Sequence, residues 1–142
     1  MIKKILLLLL LIFPFIANGQ DILGKWKTID DETGEEKSVV EFYKRDGKVY
    51  GKIVKLFRKE GQDPDPVCTE CPKDDPRHEK KIIGMEIIKD LQKDGDEYVE
   101  GTVLKPDEGQ IYKCKIWLDD GKLNIRGYWG FFYRTQEWVK AD

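Results

Sequence analysis

Serine and histidine are almost missing from this chain: Ser38 and His78 are the sole examples of each in 142 residues. Ser38 lies in an extended apolar stretch with no G-x-S-x-G elbow around it, which excludes the usual serine hydrolase. No glycine-rich loop opens a helix, so nucleotide chemistry lacks its phosphate cradle. An excess of positive charge is also missing, with 25 basic against 27 acidic side chains. Nucleic acid needs a basic footprint to neutralise its phosphates, and a polybasic membrane-surface role needs one too. Both are disfavoured. Carboxylates are plentiful but mark turns, and no pair stands out as an acid/base couple.

Long apolar runs are confined to the beginning. Lys3-Lys4 precede an unbroken apolar stretch at 5–16, and Ala17-Asn18-Gly19 follows. A basic start, a short apolar core and small residues before a cut describe a secretory signal peptide over residues 1–19. Residues 20–142 then form the mature chain, with no membrane span after processing. No cysteine follows the cut, which argues against a lipid anchor. Loss of Lys3 and Lys4 leaves 23 basic and 27 acidic side chains. Such a length suits one domain with a real core. The expected location is periplasmic or extracellular.

Helical periodicity is missing from the mature part. Short runs rich in Val, Ile, Tyr, Phe and Trp alternate instead with Gly/Asp punctuation, predicting strands at 24–29, 37–43, 48–57, 82–89, 97–104, 110–118, 122–129 and 132–139. Asp46-Gly47, Asp94-Gly95 and Asp120-Gly121 favour tight hairpins, because glycine accepts the positive φ they require. Eight strands joined largely by hairpins form a meander, and closing it removes exposed edges. The fold class expected is all-β: a single antiparallel up-and-down barrel of about eight strands. One long interruption, residues 58–81, carries four prolines, two cysteines and His78. It reads as a lid or as a plain structural excursion.

Cys68, Cys71 and Cys114 are the only cysteines. In an oxidising compartment a structural disulfide is the first reading, either within Cys68-Thr69-Glu70-Cys71 or from this loop to Cys114. A zinc site built from Cys68, Cys71, Cys114 and His78 would need reduced thiolates. A thioredoxin-like pair would want a βαβ unit that this chain does not offer. Four tryptophans and several tyrosines fall in predicted strands, where they either fill a barrel or line its cavity. Arg126 and Tyr128 share a strand face and could clamp a carboxylate if it were the inner one. Leu123, Ile125 and Trp129 make the better core side, so the outward reading of Arg126 is preferred.

Gly24-x-Trp26 at the start, with Arg134 late in the chain, resembles the calycin barrels: lipocalins and intracellular lipid-binding proteins. The resemblance implies that Trp26 plugs the barrel floor with an arginine packed over it, Arg134 first and Arg126 second. A longer set of blocks covers nearly the whole mature chain. It runs from Gly24-x-Trp26 and Asp30-Asp31-x-Thr33-Gly34 through Tyr50-Gly51-Lys52-Ile53, Ile83-Gly84-Met85 and Gly101-x-Val103-Leu104, to Arg126-Gly127-Tyr128 and Arg134-Thr135-Gln136-x-Trp138. This is similar to the exported bacterial family called domain of unknown function 2147. That resemblance implies a β-barrel and leaves the activity open.

Three functional readings follow. The first is a monomeric barrel that binds a small apolar or lipid-like, amphipathic ligand without a cofactor, with Trp26, Tyr50, Trp117, Arg126, Tyr128 and Arg134 as candidate ligand-binding residues. The second is a cell-envelope interaction module with a solid core. The third is a metal- or thiol-dependent enzyme centred on the cysteines.

Overall fold

A computed structural model describes residues 21–141. The expected signal peptide, residues 1–19, lies outside the described residues. Eight strands follow one another: β1 (Gly24–Ile29), β2 (Glu36–Arg45), β3 (Lys48–Leu56), β4 (Glu86–Asp94), β5 (Glu97–Lys105), β6 (Gln110–Asp119), β7 (Lys122–Trp129) and β8 (Phe132–Lys140). Each pairs antiparallel with its sequence neighbour, and β8 returns to β1 to close the barrel. The all-β, eight-stranded up-and-down expectation holds. Among the described residues no helix is long and apolar enough to cross a membrane.

The two ends of the barrel differ. Turns at Asp46-Gly47, Gly95-Asp96 and Asp120-Gly121 close one end, where glycines take positive φ. Residues 21–23 run beneath that end, and Ile22 is fully buried with its carbonyl accepting the Trp26 indole N–H at 2.8 Å. Trp26, Phe42, Leu91, Tyr98 and Leu123 fill the floor above it. Gly101 is needed here, because a Cβ on it would stand 2.5 Å from a Leu91 methyl. The opposite end, the mouth, carries the longer connections, including residues 57–85 between β3 and β4.

One strand differs from its sequence reading. The expected strand at 82–89 begins only at Glu86 and runs on to Asp94. Ile82 and Gly84 instead belong to the end of the long connection. Ile82 donates its backbone N–H to the Pro66 carbonyl of that connection at 3.0 Å, and Gly84 donates to the Ile53 carbonyl of β3 at 2.6 Å. Beyond Lys89 the alternation is broken by Asp90, which takes φ 62°. That bulge shifts which residues face inward, so period-2 reasoning loses the strand. Closure is thinnest between β1 and β8. Only Trp26↔Lys140 and Lys27↔Val139 pair there.

Candidate functional site

The upper barrel is hollow. A cavity of about 1270 Å³ opens at the mouth. Its walls alternate inward from every side of the sheet: Ile53 from β3, Ile87 from β4, Val103 from β5 and Ile125 from β7. Trp138 is the deepest lining residue of β8 and packs its ring 6.3 Å from that of Phe42. Paired positions Thr28 and Ser38 bring two buried hydroxyls into the wall, hydrogen-bonded at 2.7 Å.

A polar ladder climbs from this apolar base to the mouth. Arg134, Gln136 and Trp138 alternate on β8, so they share its inner face. The Trp138 indole donates to Gln136 Oε1 at 3.0 Å, and Gln136 Nε2 donates to Asp31 Oδ1 at 3.1 Å. Arg134 donates through Nε to Asp31 Oδ2 and pairs through Nη2 with Glu32 at 2.7 Å. Burial pushes the Asp31 carboxyl upward, but the bonds from Arg134 and Gln136 outweigh it and hold its pKa below the ordinary 3.8. On the far rim, Glu108 accepts from Lys105 at 2.9 Å and from Tyr112 at 3.1 Å.

The long connection crosses one side of the mouth. Val67, Thr69, Glu70 and Ile82 contribute to the cavity lining. Cys68 and Cys71 form the disulfide, which is the within-motif alternative, and Cys114 remains free and buried. Burial pushes the Cys114 thiol up to about 12. The zinc grouping is therefore corrected: two of its four members are bonded to each other, and Cys114 faces the barrel interior from β6. Arg77 pins the connection to the barrel, donating to the Glu86 carbonyl at 2.9 Å while paired with Asp75 at 2.8 Å. That guanidinium holds the Asp75 carboxyl down at about 2. His78 Nδ1 lies 2.7 Å from the Cys71 carbonyl. Glu70 presses on the β5–β6 turn, where a Cβ on Gly109 would fall 1.8 Å from its carbonyl oxygen.

Of the six candidate residues, only Arg134 lines the cavity. Trp26 is buried in the floor below it. Trp117, Arg126, Tyr128 and Tyr50 lie on the outer face of the sheet, where Tyr50 is nonetheless buried, because Ile116, Ile125, Gly127, Val49 and Gly51 take the inner positions of their strands. Outside, Arg126 is stacked between Trp117 at 5.0 Å and Tyr133 at 4.2 Å and donates to Thr135 at 2.9 Å. Tyr50 lies under the Arg45 guanidinium at 3.9 Å and donates to Asp90 at 2.9 Å. The packing of Arg134 over Trp26 is also corrected. Arg134 sits at the mouth, six residues or about 20 Å along β8 from the floor. The cation over the Trp26 ring is Lys140, 5.8 Å away.

Gln136, Trp138 and Asp31 are not among the six candidate residues, although Trp138 is one of the four strand tryptophans expected to fill the barrel or line its cavity. Period-2 alternation would have found the first two, since a core Trp138 turns Gln136 and Arg134 inward with it. Asp31 had no local signal, because its partners are more than a hundred residues away.

A closed eight-stranded antiparallel barrel, sealed at one end around a tryptophan and hollow at the other, is a lipocalin-like barrel. A lipocalin-family protein from the human pathogen Helicobacter pylori has a similar solved structure, with TM-score 0.71 and 20% identity over 86% of this chain and 84% of that one. The chain itself belongs to the family DUF2147, described as uncharacterized protein conserved in bacteria, which matches residues 24–140. No curated protein matches it.

Proposed function

We propose that this protein is an exported monomeric carrier that holds a small apolar or amphipathic molecule in the barrel, without a cofactor and without catalysis. The cavity carries the reading: about 1270 Å³, apolar at its base and hydrogen-bonding at its rim. That volume exceeds the roughly 300–1,000 Å³ of ordinary small-ligand pockets and suits a long chain better than a compact metabolite. Each ~100 Å² of apolar ligand surface removed from water contributes about 2.5 kcal/mol. The ladder through Gln136, Asp31 and Arg134 would meet the polar end of such a ligand. Export is supported by the N-terminal pattern and by the Cys68–Cys71 disulfide. The solid-core interaction module is disfavoured by the hollow upper barrel.

Native mass spectrometry of protein purified from its own host tests the reading, together with saturable binding of a fluorescent fatty-acid probe. A retained lipid-sized mass, and probe binding abolished by Val103→Trp, are expected. Bare protein that takes up no probe overturns it.

A further inference from the structure

The β7–β8 turn is the most apolar exposed feature among the described residues. Trp129, Phe131, Phe132 and Tyr133 show 73, 103, 72 and 62% of their surface to solvent. Single exposed apolar side chains are ordinary, whereas four in one tip are not. The rings of Trp129 and Phe132 lie 6.2 Å apart across the hairpin, and Gly130 makes the turn at φ 56°. Residues 128–133 contain no charge and no aliphatic side chain, only aromatics and the turn glycine.

We propose that this tip inserts into the headgroup zone of a phospholipid bilayer and seats the barrel mouth on the membrane. Tryptophan and tyrosine favour that zone, where the ring is shielded and the polar edge stays wet. A hairpin end is convex, so a rigid protein partner would need a matching pocket, while a bilayer yields to it. On the outer face behind the tip the charges are complementary to phosphates. In the flanking turns the carboxylates of Asp31, Glu32 and Glu108 are already paired with Arg134 and Lys105. Lys113 is exposed on the outer face of β6, in register with Tyr128. That places it two residues, about 7 Å, behind Gly130. The headgroup layer is itself about 5–7 Å deep. Arg126 follows two residues further back on the same outer face. Neither cation forms an ion pair with a carboxylate among the described residues, unlike Arg134 at the rim. Trp129 and Phe132 also line the cavity, so the inserted surface is continuous with the barrel interior.

This is insertion by aromatic area rather than adsorption by charge, and it does not depend on what the cavity holds. The test is co-sedimentation of the processed protein, purified from an exporting host, with vesicles of phosphatidylethanolamine and phosphatidylglycerol. Wild-type protein is expected to bind in high salt as well as low. Brominated lipid should quench tryptophan fluorescence on binding. Phe131→Ser combined with Phe132→Ser should lower partitioning at least tenfold with an unchanged circular dichroism spectrum, since both rings are exposed. Lys113→Glu should weaken binding severalfold. The proposal is overturned if wild-type protein stays in the supernatant, if the double variant binds equally well, or if binding vanishes in high salt. It also fails if the tip proves to join two copies, seen as a wild-type dimer that the double variant dissolves without any vesicle binding.

Discussion

Asp31 and Arg134 are separated by 103 positions in the chain and meet at the rim of the barrel, the guanidinium donating to the carboxylate. Their contact lies where the barrel needs it. The β1–β8 ladder ends after two pairs, and above it the connection between these strands is made by side chains: Arg134 and Gln136 from β8, Asp31 from the turn after β1. The pair therefore links seam closure to the shape of the cavity mouth.

Asp31→Asn should lower stability by about 0.5–1 kcal/mol, because the pair is partly exposed and screened. A double-mutant cycle with Arg134→Gln measures the coupling. The folded-state pKa of Asp31 lies below its ordinary 3.8, so the contribution is present above that value and fades as pH falls through the folded one. At pH 7 the variant should differ from wild type, and in strong acid the two should converge.

Asp75 offers a larger and better shielded effect. Both it and Arg77 are mostly buried, and the carboxyl titrates at about 2 instead of 3.8. That depression corresponds to about 2 kcal/mol of stability, whole above pH 3.8 and lost as pH falls to about 2. Asp75→Asn should remove this term at neutral pH and flatten the acid limb of the stability profile, as read by denaturant titration. Loss of order in residues 57–85, followed by hydrogen exchange, should accompany it.

Gly109→Ala places a methyl against the Glu70 carbonyl at a residue with φ 68°. Both the clash and the left-handed backbone are unfavourable, so a loss of more than about 1 kcal/mol is expected. Because Glu70 belongs to the segment lining the mouth, probe dissociation from the cavity should also become faster. A stopped-flow trace indistinguishable from wild type would show that this contact has no bearing on ligand release.

Reduction of Cys68–Cys71 should cost about 2 kcal/mol, the loop-closure value for so short a ring. Cys114 should stay silent throughout, since it is 3% exposed and its thiol is pushed up to about 12. Alkylation followed by mass spectrometry should find it unmodified in native protein and fully modified after unfolding.

Much of the barrel was legible in the chain because its cause is local. Alternation of apolar residues, Asp-Gly turns and the G-x-W start are short-range patterns, and each strand except β4 could be placed from them. β4 was displaced at both ends. Ile82 and Gly84 bond to the Pro66 and Ile53 carbonyls instead of continuing the strand, and Asp90 breaks the alternation beyond Lys89, neither of which composition announces. The outward position of Arg126 was also visible, since Leu123 and Ile125 compete for the inner face of the same strand. The cysteine pairing was narrowed to two alternatives, and only the fold chose between them by burying Cys114 inside β6.

Sequence by itself thus determined the strand order and the closed meander, because hydrogen-bonding neighbours here are also neighbours along the chain. Tertiary structure alone decided that the interior is hollow above Trp138, that Arg134 serves the rim rather than the floor, and that Asp31 is its partner. Those outcomes depend on residues far apart in the chain meeting across a curved sheet. Side-chain volume summed around a closed circumference, not any local pattern, sets whether a cavity remains.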